Sequence, residues 1–373
     1  MRLRPFILGM LAATLLVVAA GLVIMNSGSS GSSETGGEAP PEPAPVEATG
    51  PTGEVPSVRP GEPNPLSGLN LTAYTSDGYS EADGELAQIK ALSSTAVTLV
   101  PTWYMPSPDS SEVRQEKGKS PNDDSLYRAI DAARNAGLKV ILKPHVDVLD
   151  GTFRGDISPS DRAAWFRSYR DFIDRYAWIA ADVGADLYVV GTELKGVSGE
   201  DAEWRSLIRS VREKFSGALT YAANWDEVES IQFWDALDLI GADAYYPLSA
   251  EGETPTEGDL LAAWRPIVDQ LKGLSEQWER PVILTEIGYP SQAGATAHPW
   301  EVREGEAPDQ AAQALAYEAA FKAFAGAEWL EGINWWSWRA DLAPDEDPPV
   351  DYSPEGKEAE VVLSAGQAGL IRP

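Results

Sequence analysis

Lys139-Val-Ile-Leu-Lys-Pro-His145 is a short β-rich run, Pro159 to Val183 carries a long amphipathic pattern, and Leu187-Tyr-Val-Val-Gly-Thr-Glu193 is a second β-rich run. A strand, a helix-length crossover and a second mostly apolar strand read as a parallel βαβ unit buried on both faces of its sheet. Working outward, the same beat recurs along the chain. Strands are predicted at Leu69–Tyr74, Ala96–Thr102, Lys139–His145, Leu187–Glu193, Leu219–Asn224, Leu239–Tyr245, Val282–Glu286 and Gly332–Ser337. Helical patterns fall between them at Asp83–Leu92, Asp124–Ala136, Pro159–Val183, Asp201–Phe215, Gly258–Trp278 and Pro308–Ala325. Pro159 and Pro308 are read as first-turn residues of their helices, and Gly137 and Gly184 as C-terminal caps.

Eight such units from residue 66 to 373 predict an α/β fold, a (β/α)8 TIM barrel. The rival is a doubly wound open sheet, which carries a Gly-rich phosphate loop after its first strand. Leu71-Thr-Ala-Tyr-Thr-Ser is not such a loop. The segments after strands two, seven and eight (Tyr104–Asp123, Gly288–Pro308 and Arg339–Glu355) are long, while those entering strands are short. That asymmetry predicts a site on the C-terminal face of the barrel.

Two segments precede the barrel. Arg2 and Arg4 flank an apolar run over residues 6–25, long enough for the hydrocarbon core of a bilayer. It is read as an N-terminal apolar helix, either a retained signal-anchor or a cleaved signal peptide, so the barrel is expected outside the cytoplasm, membrane-anchored or secreted. Residues 26–65 hold nine Pro, seven Gly and six Ser and are read as a disordered linker.

Composition narrows the chemistry. With 29 Lys and Arg against 58 Asp and Glu, the formal charge is −29, which disfavours nucleic acid and other polyanions as partners. Cysteine is absent and only His145 and His298 supply imidazole, which argues against thiolate catalysis and multi-histidine metal centres. His145 and Asp147 lack a third imidazole nearby, and the acidic stretch Asp341–Asp351 reads as solvated surface rather than a Ca²⁺ loop. No cofactor or metal is expected. Thirteen Trp and abundant carboxylate remain, the inventory that neutral sugars require.

The strand ends carry the candidate residues: Trp103, His145, Glu193, Asn224, Trp225, Asp243, Tyr245, Tyr246, Glu286, Trp336 and Trp338. Strand period two puts Leu187, Val189, Gly191 and Glu193 on one inward face, and likewise Val282, Leu284 and Glu286. Each glutamate thus emerges at the mouth from a buried row, where a carboxylate is costly unless used or paired. The structural alternative is a rim salt bridge to Lys143 or Arg339. Two carboxylates across a cleft suit glycoside hydrolysis, one protonating the departing oxygen while the other attacks carbon or activates water. Trp103, Trp336 and Trp338 are candidate sugar platforms, and Asn224, Asp243 and His145 candidate hydroxyl ligands, with His145 equally a rim hydrogen-bonder. Tyr245 or Tyr246 is expected to hydrogen-bond Glu286 and hold it ionised, parity favouring one of them, taken as Tyr245. Trp165, Trp178, Trp204, Trp264 and Trp278 lie in helical segments and are read as packing residues.

Gly191-Thr-Glu-Leu and Thr285-Glu-Ile-Gly-Tyr-Pro-Ser resemble the acid/base and nucleophile motifs of the clan A retaining glycoside hydrolases. With Leu142-Lys-Pro-His-Val-Asp, Thr102-Trp-Tyr-Met, Gly241-Ala-Asp-Ala-Tyr-Tyr-Pro and Trp335-Trp-Ser-Trp, the chain is most similar to glycoside hydrolase family 113, whose members include β-1,4-mannanases. The resemblance spans roughly residues 66–365 and implies Glu193 as acid/base and Glu286 as nucleophile, acting on a neutral β-linked glycan. Thr192 stands where most of the clan carries Asn to hold the sugar 2-hydroxyl, a contact that Asn224 is a candidate to replace. The readings set against an enzyme are a non-catalytic glycan-binding barrel and a surface-anchored interaction partner.

Overall fold

The apolar runs become ten strands: β1 (Gly68–Thr72), β2 (Ala96–Val100), β3 (Thr102–Met105), β4 (Lys139–Leu142), β5 (His145–Val148), β6 (Leu187–Thr192), β7 (Ala218–Asn224), β8 (Ile240–Asp243), β9 (Val282–Ile287) and β10 (Leu330–Arg339). Eight of them close a parallel barrel in the order β1-β2-β4-β6-β7-β8-β9-β10, the (β/α)8 architecture expected. A computed structural model describes residues 66–303, 305–341 and 350–369; the apolar run 6–25, the linker 26–65 and most of the acidic stretch 341–351 lie outside the described residues. Among the described residues no helix is long and apolar enough to cross a membrane.

The helices are α1 (Asp83–Ala91), α2 (Asp123–Asn135), α3 (Arg162–Val183), α4 (Lys195–Ser198), α5 (Asp201–Arg212), α6 (Glu257–Trp278), α7 (Gln310–Ala323) and α8 (Glu358–Gln367). In α5 the buried residues Trp204, Leu207, Ile208 and Val211 follow the i, i+3, i+4, i+7 spacing of a single apolar stripe. Two helix starts differ from expectation. Asp161 and Asp309 cap α3 and α7 by accepting from the amides of Ala164 and Ala312, each at 2.9 Å. A side-chain oxygen at the cap satisfies an orphan amide, so Pro159 and Pro308 stand before the helices rather than in their first turns. Gly184 ends α3 in the left-handed region, at φ 60°, as a C-terminal cap should. Trp165, Trp204 and Trp264 are fully buried between helix and barrel, but Trp178 on α3 is 62% exposed, against the packing role expected.

The second and third barrel strands are shorter than expected. β2 and β4 stop just before Pro101 and Lys143-Pro144, because proline has no N–H for the ladder. Beyond each proline the chain continues as β3 and β5, which pair in parallel only with each other. They form a small two-stranded extension at the barrel mouth, and His145 opens it.

Two apolar layers result. Leu66, Ala96, Ile141, Leu187, Val189, Ala222, Leu239 and Ile283 form one cluster, the barrel lumen. Their strand neighbours Val140, Leu142, Tyr188, Val190, Tyr221, Val282, Leu284 and Trp335 belong to the larger cluster that contains the helices. Val282 and Leu284 therefore face outward, against the parity expected, and Ile283 faces in.

Candidate active site

Three register shifts rebuild the upper barrel. Ala242 pairs with Leu284 but Asp243 with Glu286, so β9 carries one extra residue there. Both Thr285 and Glu286 then point inward, before Ile287 returns to the outer layer. On β6 the ladder passes from Val189–Thr220 to Thr192–Ala222, again one residue extra. Gly191 thereby faces the helix layer, where a Cβ would stand 2.8 Å from both Trp204 and Tyr221. Glycine is required by that contact, and the expected inward row is broken at Gly191. On β10, Leu69 pairs with Trp335 and Leu71 with Trp338, so Trp338 joins Trp335 in the outer layer. Bulges of this kind re-aim side chains at barrel rims.

Glu286 lands in a set of fixed donors. Its Oε1 accepts from Lys143 Nζ at 2.5 Å and its Oε2 from the Tyr245 hydroxyl at 2.7 Å. Lys143 also donates to Asp243 Oδ1 at 3.2 Å, and the same oxygen accepts from Thr285 Oγ1 at 2.7 Å. Lys143 and Asp243 are completely buried. Burial, and then the charge of Glu286, pushes the Asp243 carboxyl up to about 7, against the pull of Lys143. Asp243 is thus the second ion-pair partner of Lys143 beside Glu286, completely buried rather than presented to a sugar as expected. The rim salt bridge weighed from the sequence does form with Lys143, as part of the site; Arg339 instead binds Asp341.

Glu193 is supported differently. Its backbone is left-handed, at φ 54°, a conformation costly for a residue with a Cβ. Flanking bonds hold it there: the Glu193 amide donates to Ala222 O at 2.8 Å and the Leu194 amide to the Tyr221 hydroxyl at 2.8 Å. That hydroxyl in turn donates to the buried Glu227 at 3.0 Å. The side chain leans on Arg154, whose Nη1 donates to Oε2 at 2.8 Å. Arg154 is anchored by Asp147 Oδ1 at 2.6 Å and by the carbonyl of Val146 at 3.3 Å. Burial pushes the Glu193 carboxyl up to about 8, helped by the negative charges of Asp243 and Glu286 and opposed by Arg154 and Lys143.

His145 Nε2 stands 3.5 Å from Glu286 Oε1 and makes no hydrogen bond. Burial, with Arg154 and Lys143 adding to it, holds its imidazole well below the usual range, so the ring is neutral. The half-buried Trp336 indole lies parallel to it, centroids 5.8 Å apart and planes within 11°. Thr192 Oγ1 is likewise buried without a partner. Asn224, half-buried, accepts from the Trp225 amide through its side-chain oxygen at 2.8 Å.

The structure bonds Glu286 to Tyr245, sets the neutral His145 3.5 Å from Glu286 with Trp336 stacked on it, and brings Glu193 within reach of the charge of Glu286. It does not bring all the candidates there. Trp103 turns toward α3, donating to the Tyr176 hydroxyl at 3.1 Å and packing on Phe172. Tyr246 turns outward onto Trp225 and Trp264. Trp338 is buried in the outer layer by the β10 bulge. From the sequence Arg154 is not a candidate, and Asp147 is one only with His145, as a metal pair. Arg154 opens a single 3-10 turn, Arg154–Asp156, in a stretch without periodicity, and the only sequence signal is that a carboxylate as buried as Glu193 needs a cation.

Among the described residues no group of three or more His, Asp or Glu side chains could hold a metal ion. The sequence model of Glycoside Hydrolase Family 113 matches residues 73–357. Among solved structures, a β-mannanase of that family from Alicyclobacillus acidocaldarius, in complex with ManMIm, superposes with a TM-score of 0.73 at 31% identity, over 82% of this chain and 98% of its own. A family 113 β-1,4-mannanase has the same TM-score at 28% identity, over 81% and 98%. A family 5 mannosidase from Rhizomucor miehei, 11% identical with a TM-score of 0.58 over 83% and 94%, shares the fold. No curated protein sequence matches significantly.

Proposed function

Because the chain belongs to glycoside hydrolase family 113 and is a glycoside hydrolase, we propose that it cleaves neutral β-1,4-mannan-type chains with retention of anomeric configuration. Glu193 is the acid/base and Glu286 the nucleophile. The observation that carries this reading is the unequal support of two buried carboxyl groups that feel each other's charge. Glu286 accepts a donor on each oxygen, from Lys143 and Tyr245, as suits a carboxylate that must attack. Glu193 is pushed up to about 8 by burial and neighbouring charge, so it carries a proton near neutral pH, as suits an acid.

In the first step Glu193 gives its proton to the glycosidic oxygen as that bond to the anomeric carbon breaks, and Glu286 forms an ester to the same carbon. Esterification removes the negative charge of Glu286. Glu193, now ionised and beside a neutral group, takes a proton from water, whose oxygen attacks the anomeric carbon and frees Glu286. Trp336, stacked on His145, offers an apolar face to a pyranose ring. Thr192 Oγ1 and His145 Nε2 are buried without a hydrogen-bond partner, the unmet valence a sugar hydroxyl would satisfy.

The reading includes export. Arg2, Arg4 and the apolar run 6–25 support an extracytoplasmic barrel, anchored or released. Cell fractionation with N-terminal sequencing tests it, and an intact chain in the cytoplasm would refute it. For the chemistry, the test is hydrolysis of mannan, glucomannan, xylan and β-glucan oligosaccharides, with NMR of the first-formed product. Mannan-type turnover with retained configuration is expected; an inverted product would overturn the assigned roles.

A further inference from the structure

Glu193 has two oxygens with different surroundings. Oε2 accepts from Arg154 Nη1 at 2.8 Å, while Oε1 has no hydrogen-bond partner among the described residues. Arg154 is itself divided. Its Nη2 and Nε bond Asp147 Oδ1 at 2.6 and 3.2 Å, and its Nε also meets the Val146 carbonyl at 3.3 Å. Its side chain is 15% exposed, against 29% for Asp147 and 6% for Glu193. A guanidinium so enclosed is a fixed charge, always protonated, with a rigid fork that spans two carboxylates.

Resting on the assignment of Glu193 as acid/base, we propose that Arg154 is a positioning residue that grips Glu193 through Oε2 and leaves Oε1 as the oxygen exchanging the proton, with Asp147 setting how much of the arginine's charge Glu193 feels. The grip need not break during turnover. In the acid form the proton sits on Oε1, and Oε2, then a carbonyl oxygen, still accepts from Nη1. In the first step the Oε1 proton passes to the glycosidic oxygen as its bond to carbon breaks and the ester to Glu286 forms. In the second, a water proton passes to Oε1 as the water oxygen bonds the anomeric carbon and the ester breaks. Arg154 holds one geometry throughout and favours the ionised form that the second step needs.

The groups facing Glu193 are Arg154 from the loop after β5, Lys143 after β4, Asp243 on β8, Glu286 on β9, and the phenols of Tyr245 and Tyr352. Two substitutions among its surroundings separate the arginine's charge from its bulk, with opposite signs. Arg154→Met removes a positive charge and makes Glu193 harder to ionise, so the alkaline limb of kcat/KM against pH moves up by about one pH unit. Asp147→Asn leaves more of Arg154 to Glu193, so the same limb moves down. Arg154→Lys keeps a charge but loses the fork, so the limb stays near its original place while kcat falls.

The experiment measures these profiles for wild type and the three variants on β-1,4-mannohexaose and on a dinitrophenyl β-mannoside. Loss of orientation in Arg154→Met lowers oligosaccharide turnover roughly 10- to 100-fold. The glycosylation step of the dinitrophenyl substrate, which needs no acid, changes little. Carbon-13 NMR titration of the Glu193 carboxyl in the same proteins reads the shift without turnover. Limbs and titration midpoints that move oppositely in the Met and Asn variants support the proposal. Midpoints unmoved in both, or moved the same way, overturn it. A wild type inactive on every glycan, with midpoints that nonetheless move oppositely, would sink the proposed function and leave the charge division standing.

Discussion

At the level of Ile141, Val189 and Ile283 the barrel lumen is aliphatic. A few ångströms higher, Lys143, Asp243, Thr285 and Glu286 fill the same lumen with charge, and the ladders carry extra residues on β6, β9 and β10. The lower region obeys the ordinary rule of burying hydrocarbon. The upper one buries ions whose desolvation their mutual attraction only roughly offsets. The contrast teaches that the lower lumen holds the protein together and the upper lumen is kept for chemistry. Four substitutions put that division at risk.

The largest effect should come from Glu286→Ala. Removing the nucleophile should lower turnover on every substrate on the order of 10⁴-fold or more, measured by product release. Lys143 still pairs with Asp243 in that variant, so the melting temperature should change little. A variant that loses activity only because it unfolds would break the separation between the two regions.

Lys143→Met should be next. It leaves Asp243 and Glu286 buried near each other without their shared cation. Breaking a buried ion pair from one side costs about 3–5 kcal/mol, to be read by denaturant unfolding at pH 8. The cost should shrink at pH 5, where Asp243, already pushed up to about 7, takes up a proton. A loss that is the same at both pH values would show that Lys143 acts by packing alone.

The sharpest contrast is with Ile141→Ala, one strand position pair below Lys143. A lumen cavity should cost about 2–4 kcal/mol, and turnover of the variant that remains folded should stay within a few-fold of wild type. If kcat instead fell as far as in Lys143→Met, the lower lumen would be part of the catalytic device after all.

The same contrast explains what could be read from the chain. The eight-unit beat was legible because regular strands and amphipathic helices obey fixed periods. The lower part of β6 kept its expected parity, with Leu187 and Val189 facing the lumen. Parity failed on β9 and at each bulge, since one inserted residue swaps every face beyond it. That is why Trp338 was expected in the cleft and lies behind it, and why Glu286 faces inward although Leu284 faces out. Trp103 failed for another reason, because Pro101 had already carried the chain off the barrel. Tyr245 bonds Glu286, and Glu193 lies within reach of the charge of Glu286, the pairing that residue types at strand ends suggested. Arg154 was illegible because its partner, Glu193, is 39 residues away in a different loop.

The smallest effect concerns stability against pH in the upper lumen. Glu193 is pushed from 4.5 to about 8 in the folded protein, chiefly by burial. The folded state therefore keeps a proton that the unfolded chain releases above pH 4.5. Stability should fall as pH rises from 4.5 to 8, with the full cost present above 8 and none below 4.5. Glu193→Gln removes the charge that causes this. It also weakens a bond to Arg154, which keeps Asp147, so the net gain should be about 1–2 kcal/mol at pH 8.5. For a domain of this size each kcal/mol raises the melting temperature by about 2–4 °C. At pH 4.5 the two proteins should melt together. Asp243 is raised by the same cause, so the variant should still lose some stability across this window. An inactive Glu193→Gln that is no more stable than wild type at pH 8.5, or equally more stable at both pH values, would mean that the upper lumen carries its charges without strain.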